Sequence, residues 1–243
     1  NVRTMLRPGK MNEIENEIVK YKLDVVALQE IRWQGRGQID KQEYALFYSP
    51  VVFNLGRTGL YGTGFIVKRI MRKSILEFEA VNERICKLRV RGKFRSISII
   101  SAYAPTEDKA EEGKEEFYDL LEQTSWKIQK YDIRRERRRR NAKIERQDIF
   151  KQTIGNESLH ALSNDNGVRA ANFAKSKHLI VNSQKCLQHD IHKYTWTSLY
   201  GSTHNQIESD LADNRRQTNI IYMRSFRAAD CDTDHYPVVA KVW

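Results

Sequence analysis

Short runs of β-branched and other apolar residues, several of them ending on a polar residue, set the strongest limit on how this chain can fold. Residues 24–30 read Asp-Val-Val-Ala-Leu-Gln-Glu, and residues 95–103 read Arg-Ser-Ile-Ser-Ile-Ile-Ser-Ala-Tyr. Short apolar runs bounded in this way are typical of buried strands. Further strands are predicted at residues 44–48, 62–68, 178–181, 194–197, 205–211, 219–226 and 237–243, and within residues 77–90 around a turn at Asn82.

Helical spacing of apolar residues separates these strands. It predicts helices at residues 11–21 and 107–123, and a third that begins at the Asn-Asp-Asn-Gly turn of residues 164–167 and ends near Lys177. Many short strands with a few helices between them favour an α+β or layered α/β domain.

The charge balance favours a polyanionic partner, nucleic acid first. The chain has 243 residues, 42 Lys plus Arg against 31 Asp plus Glu, and a net charge of +11. The excess is concentrated, because residues 134–140 contain six arginines and one glutamate, which gives 6 − 1 = +5. Length alone allows one large domain or two small ones.

Cysteine use and hydropathy indicate the compartment. The three cysteines lack C-x-x-C spacing, which indicates neither a disulfide framework nor a zinc site and fits a reducing, intracellular location. There is no apolar run near ~18 residues, so no membrane association is expected. The chain starts at Asn1 without an initiating Met or a signal peptide, and we interpret it as a fragment whose first strand is truncated.

Polar residues at the predicted strand ends are the candidates for chemistry. Glu30 suits a Mg²⁺ ligand, since that ion takes few protein carboxylates, although a solvated glutamate after a strand fits equally well. Tyr103 is either a phosphate-directed hydroxyl or an ordinary strand aromatic. Asp234-His235 is either a surface pair in a turn or a general base, which Glu208 would orient through the second ring nitrogen.

Five motifs occur in one order along the chain and carry a family resemblance. They are Asn1-Val-Arg-Thr, Leu28-Gln-Glu30, Ser101-Ala-Tyr-Ala-Pro105, Asn205-Gln-Ile-Glu208 and Thr233-Asp-His235. In this order they resemble the endonuclease/exonuclease/phosphatase (DNase I-like) superfamily. Longer matches, among them Leu28-Gln-Glu-Ile-Arg-Trp33 and Ile191-His-Lys-Tyr-Thr-Trp196, are similar to the endonuclease domain of non-LTR (LINE-type) retrotransposons and to craniofacial development protein 2-like proteins.

The resemblance implies one α/β domain over residues 1–243, a four-layer sandwich of two mixed β-sheets flanked by helices, with its site in a cleft. It implies hydrolysis of a DNA phosphodiester with Mg²⁺ or Mn²⁺, in a monomer located in the nucleus and associated with a reverse transcriptase domain. The implied metal ligands are Glu30 and Asn1. The implied catalytic residues are His235, Asp234, Asn141, Tyr103 and Glu208, and the implied nucleic-acid contacts are Arg3, Trp196 and Asn205.

Departures from the family pattern put the activity in question. Where the family has Gly-Asp-Phe-Asn, this chain has Arg138-Arg139-Arg140-Asn141, so Arg139 replaces the Asp. Glu208 stands where the family has an Asp, and Asp210 follows where the family is apolar. An aspartate in a sheet core costs several kcal/mol unless it is paired.

Residues 134–140 therefore have three interpretations. They form a solvated nucleic-acid-binding loop, or they record decay or a frame error, or they form a core strand, which is not expected because unpaired buried charges are costly. Three functions remain open: a LINE-type endonuclease, a non-catalytic descendant that binds nucleic acid or protein, and a phosphatase of the same superfamily.

Overall fold

The computed structural model describes residues 1–49, 61–139, 143–144, 150–155, 158–160, 162–182, 189–198, 200–215, 220–227, 229 and 232–242. The helices are α1 (Lys10–Lys20), α2 (Glu111–Trp126), α3 (Lys151–Ile154) and α4 (Asp165–Ser176). The strands are β1 (Val25–Gln29), β2 (Gly37–Asp40), β3 (Tyr44–Tyr48), β4 (Thr63–Lys68), β5 (Ile75–Ala80), β6 (Ile85–Val90), β7 (Ile97–Tyr103), β8 (Ile133–Arg139), β9 (Leu179–Val181), β10 (Trp196–Thr197), β11 (His204–Asn205), β12 (Glu208–Asp213), β13 (Ile220–Ser225) and β14 (Val238–Val242). The mixed α/β class predicted from the sequence is confirmed.

The chain divides into two compact units, each built from separate stretches of sequence. Unit 1 contains Asn1–Tyr103, Lys127–Asp132 and Ala229–Thr233, and unit 2 contains Ala104–Trp126, Ile133–Ala228 and Asp234–Trp243. A single domain over residues 1–243 stays a prediction. Among the helices that the structure describes, none is long and apolar enough to cross a membrane.

Unit 1 is layered around an antiparallel sheet of order β1-β4-β3-β2. On one face, Ile14 of α1 packs in a cluster with Leu46 of β3 and Ile66 of β4. On the other face, Phe47 and Phe65 pack with Cys86, Leu88 and Val90 of β6, which pairs antiparallel with β5 and β7. Alternate residues of β3 and β4 thus bury both faces, which explains why residues 44–48 and 65–67 read as continuous apolar runs.

Unit 2 contains β12 paired antiparallel with both β8 and β9, together with the hairpins β10–β11 and β13–β14. Helices α3 and α4 pack against β9. Asn164 caps α4, because its side-chain oxygen accepts a hydrogen bond of 3.0 Å from the Gly167 N–H.

The expectation that residues 134–140 do not form a core strand is wrong for the described part, since β8 covers Ile133–Arg139 and pairs with β12. Among the side chains of β8 that the structure describes, the buried charges of Arg135 and Glu136 both have partners, which explains the outcome. The Arg135 guanidinium donates to Asp210 Oδ2 at 2.9 Å, and both side chains are about one-tenth exposed. The fully buried Glu136 accepts a hydrogen bond of 2.7 Å from the Ser125 hydroxyl. Arg135 therefore also answers the question of how Asp210 is tolerated in the sheet.

Candidate active site

Unit 1 holds a cluster around the carboxylate of Glu30, which we call the carboxylate cluster. Glu30 Oε1 accepts hydrogen bonds from Asn1 Nδ2 at 2.6 Å and from the Tyr103 hydroxyl at 3.1 Å. Arg32 Nη2 donates to Glu30 Oε2 at 2.9 Å. Asn1, at the start of the chain, and Tyr103, at a strand end, thus both contact Glu30.

The backbone around Glu30 is held in an uncommon conformation. Glu30 follows β1 with φ 61°, and Arg32 has φ 62°, both in the left-handed region that non-glycine residues seldom adopt. The Ile31 N–H donates to the Gly62 carbonyl at 3.1 Å and the Arg32 N–H to the Tyr61 carbonyl at 2.8 Å. These bonds stabilise the turn that brings the Arg32 guanidinium onto the Glu30 carboxylate. Residues in uncommon backbone conformations of this kind are often found at functional sites.

Burial raises the pKa of Tyr103, and the nearby cations of Arg84 and Arg32 offset the effect only in part. The phenol is therefore protonated at neutral pH and serves as a hydrogen-bond donor to Glu30.

The donor set of the carboxylate cluster fits one kind of metal ion. Within the described part of the chain, no group of three or more His, Cys, Asp or Glu side chains is placed to hold a metal. A single buried carboxylate beside an amide and a phenol fits a hard cation such as Mg²⁺, which keeps most of its water and takes one or two protein carboxylates. Zinc, which takes three or four protein ligands, does not fit these residues.

Unit 2 holds the second group, which we call the histidine cluster. His235 Nδ1 lies 3.0 Å from Glu208 Oε1, and the two side chains are 1% and 4% exposed. His235 Nε2 lies 3.8 Å from Asp234 Oδ1, which is too long for a direct hydrogen bond. Trp196 Nε1 donates to Asp234 Oδ2 at 2.8 Å. A carboxylate at Nδ1 favours the tautomer whose Nε2 can accept a proton.

Thr195 joins the two stretches that carry the histidine cluster. Its hydroxyl accepts hydrogen bonds from the N–H groups of Ile207 at 2.9 Å and Glu208 at 3.1 Å. Its carbonyl accepts from the Tyr236 N–H at 2.9 Å, and Trp196 forms an isolated bridge with His235. The short segment around Thr195 therefore brings Glu208 beside His235.

The remaining sequence candidates have separate placements. The Trp196 indole N–H, predicted to contact nucleic acid, is engaged with Asp234. Asn205 pairs in register with Trp196 and is half-buried, whereas Arg3 is exposed with φ 59°. Asn141 lies outside the described residues.

Sequence reasoning missed three residues that contact these candidates: Arg32, Arg84 and Thr195. Arg32 and Thr195 lie within the motifs at residues 28–33 and 191–196, so their closeness in sequence to Glu30 and Trp196 is the signal that could have found them. Arg84 had no such signal, because its role depends on contacts with segments far along the chain.

Comparison with known proteins gives relatives and fold neighbours, while no family model matches the chain. Craniofacial development protein 2 is 29% identical in Bos taurus and 28% identical in Tragulus javanicus, over 242 residues and 99% of this chain in each case. The match covers 40% and 41% of those proteins, so the chain spans about two fifths of the length of these curated relatives.

Solved structures with the same fold have low sequence identity to the chain. The endonuclease domain of TRAS1, a telomere-specific non-LTR retrotransposon, is 13% identical with a TM-score of 0.66, over 97% of this chain and 93% of that one. The 3′ phosphatase NExo from Neisseria, bound to a product DNA hairpin, is 16% identical with a TM-score of 0.68, over 100% and 96%. The resemblance read from the motifs is confirmed: this chain has the DNase I-like fold of the endonuclease/exonuclease/phosphatase proteins.

Proposed function

We propose that this chain hydrolyses a phosphodiester bond of DNA as the divalent-metal-dependent endonuclease of a LINE-type element. The observation that carries the proposal is the buried His235 imidazole with its Nδ1 3.0 Å from the Glu208 carboxylate. A buried imidazole oriented by a carboxylate is suited to proton transfer at its other nitrogen. The net charge of +11 supports a polyanionic substrate.

The histidine cluster would transfer the proton, and the carboxylate cluster would bind the metal ion. In the histidine cluster, Glu208 fixes the Nδ1-protonated tautomer, and His235 Nε2 accepts the proton of the attacking water. In the carboxylate cluster, Glu30 and Asn1 would hold Mg²⁺ or Mn²⁺, and the Tyr103 hydroxyl would serve as a donor near the phosphate. When bound, the ion supplies neutralisation of the charge on the phosphoryl group.

The product of such a nick is a 3′-hydroxyl that a reverse transcriptase can extend. We therefore include a reverse transcriptase domain as the proposed partner, and nuclear DNA as the proposed substrate. A nicking enzyme is favoured over a phosphatase by the arginine-rich charge and by the retrotransposon-like motifs at residues 28–33 and 191–196.

A supercoiled-plasmid nicking assay with Mg²⁺ or Mn²⁺ tests the proposal. His235→Ala should lower the rate about 10²–10⁴-fold, the usual contribution of a general base, and Glu208→Gln about 10- to 100-fold. His189→Ala, at an exposed histidine, is the matched control and should nick at the wild-type rate. Failure of the wild-type chain to nick any DNA at any metal concentration would falsify the endonuclease proposal.

One observation favours the second candidate, a non-catalytic descendant that binds nucleic acid. Arg139 is the direct partner of Glu208 in the register of β8 and β12, so the residue that stands in place of the family's Asp is paired with the strand position that carries Glu208. This candidate predicts salt-sensitive DNA binding without cleavage, because phosphate contacts release counterions.

Restoring Arg138-Arg139-Arg140 to Gly-Asp-Phe distinguishes an impaired enzyme from a binding protein. The loss of one preorganised polar group costs about 10²–10³ in rate, so an impaired enzyme should gain at least that factor on restoration. A binding protein should stay inactive after restoration and should bind DNA less tightly, since it loses three positive charges.

A further inference from the structure

Arg84 contacts Tyr103 through both its backbone and its side chain, although no sequence pattern singles it out. It lies at the end of the β5–β6 turn, where Asn82 Oδ1 accepts hydrogen bonds from the N–H groups of Arg84 at 2.9 Å and Ile85 at 2.8 Å. The Gly62 N–H donates to the Glu83 carbonyl at 3.0 Å. These hydrogen bonds hold the backbone of the turn at Arg84 independently of the contacts that the Arg84 side chain makes.

Arg84 brackets the backbone of Tyr103 from both sides. The Tyr103 N–H donates to the Arg84 carbonyl at 2.8 Å, and Arg84 Nη1 donates to the Tyr103 carbonyl at 3.1 Å. Tyr103 is the last residue of β7, and Pro105 prevents the strand from continuing. At this strand end the Arg84 guanidinium donates to the Tyr103 carbonyl, whereas within a sheet the backbone N–H of a neighbouring strand would do so.

The guanidinium also fixes the ring of Tyr103. It lies 3.8 Å from the centroid of the Tyr61 ring and 5.5 Å from that of Tyr103, and the two rings are 5.9 Å apart. A guanidinium over an aromatic ring is attracted to the negative face of that ring. Since the backbone and ring of Tyr103 are both held, so is the direction in which its hydroxyl points, which is toward Glu30 Oε1.

We propose that Arg84 is a positioning residue, which sets the place of the Tyr103 hydroxyl on Glu30 and so tunes the cleavage of the phosphodiester. The inference rests on the proposed function. A guanidinium is required because one planar group must both donate to a carbonyl and stack on an aromatic face, which an ammonium on a flexible stem does less well. Arg84 itself touches no reacting atom in this assignment.

The kinetic test compares Arg84→Met with Arg91→Met, which removes the same charge from an exposed arginine at the opposite end of β6. Arg84→Met should lower kcat about 10- to 100-fold, the effect of misplacing a group near the chemistry by about 1 Å, with little change in KM. Arg84→Lys should recover part of the rate, and added guanidinium ion should partly rescue Arg84→Ala. Equal rates for Arg84→Met and Arg91→Met would overturn the proposal.

A double-mutant cycle asks whether Arg84 acts through the hydroxyl. In a Tyr103→Phe background the hydroxyl is absent, so Arg84→Met should cause almost no further loss. A loss as large as in the wild-type background would show that Arg84 acts by another route, and the inference would be wrong.

A measurement without substrate separates this inference from the proposed function. In protein with ¹³C-labelled tyrosine rings, assigned with Tyr103→Phe, the Tyr103 ring signals should move toward unstructured values in Arg84→Met and Arg84→Lys, but not in Arg91→Met. If wild type never nicks DNA yet these shifts occur, the function fails and the positioning role stands. Unchanged Tyr103 signals in Arg84→Met would refute the positioning role, whatever the activity.

Discussion

The ion pair between Arg135 and Asp210 gives the sharpest test of how an arginine-rich strand is accommodated. Asp210→Leu leaves the Arg135 guanidinium, whose side chain is 9% exposed, without its carboxylate partner at 2.9 Å. It also removes the acceptor of the Asn182 amide, 3.3 Å from Asp210 Oδ2. Breaking one partner of a buried pair costs about 3–5 kcal/mol, because the remaining charge is uncompensated. That is at least about a fifth of the roughly 5–15 kcal/mol that stabilises a typical domain.

Replacing both partners should have a much smaller effect. Arg135→Met with Asp210→Leu fills the space with apolar side chains and leaves no buried charge, so its stability should lie within about 1–2 kcal/mol of wild type. The coupling energy of the cycle should then be about 3 kcal/mol or more, well above the few tenths expected for independent sites.

Urea denaturation followed by far-UV circular dichroism at neutral pH measures this cycle. Asp119→Leu, at an exposed aspartate of α2, is the control and should change the free energy of unfolding by less than about 0.5 kcal/mol. A loss below about 1 kcal/mol for Asp210→Leu would refute the reasoning, because Arg135 and Asp210 could not then be a buried pair holding β8 to β12.

Two further stability predictions follow from single contacts. Burial raises the pKa of Asp132, but hydrogen bonds from Arg89 and Ser98 outweigh that effect and hold the pKa below its ordinary value. The ionised Asp132 therefore stabilises the folded chain above about pH 4, and this contribution is lost as the pH falls through the lowered pKa. Asp132→Asn should therefore unfold at lower urea concentration than wild type at pH 7, with the gap closing below about pH 4, and a gap that is constant with pH would contradict the assignment. Asn164→Ala should destabilise by about 1–2 kcal/mol in the same assay, because the N–H of Gly167 loses its cap, and an unchanged unfolding midpoint would count against this capping role.

The positions of most strands could be predicted because local pattern and burial agree. Residues 44–48 are predicted as a strand and form β3 with the same bounds, since alternate side chains pack into two different layers and all of them are apolar. Strand β2, at Gly37–Asp40, was not predicted, because its residues Gly-Gln-Ile-Asp carry no apolar alternation. It forms because β3 offers it a free edge to pair with.

Part of the candidate site could also be predicted from the sequence, but for a different reason. Glu30, Tyr103, Glu208 and His235 were found as polar residues at predicted strand ends, and the order of motifs along the chain then supported them. Arg84 was not found, because its part depends on a turn, a stacked ring and a strand end that meet only after folding.

The sequence by itself determined the mixed α/β class and the identity of the candidate catalytic side chains, because these follow from local periodicity and short motifs. Tertiary structure alone decided that the arginine-rich residues of β8 form a strand, and the buried charge of Arg135 becomes acceptable only when Asp210, 75 residues away along the chain, supplies the opposite charge. It also decided which groups aim each candidate, with Glu208 beside His235 and Arg84 around Tyr103. Local pattern sets what a segment prefers, while the net cost of a buried charge depends on partners that only the folded chain brings close.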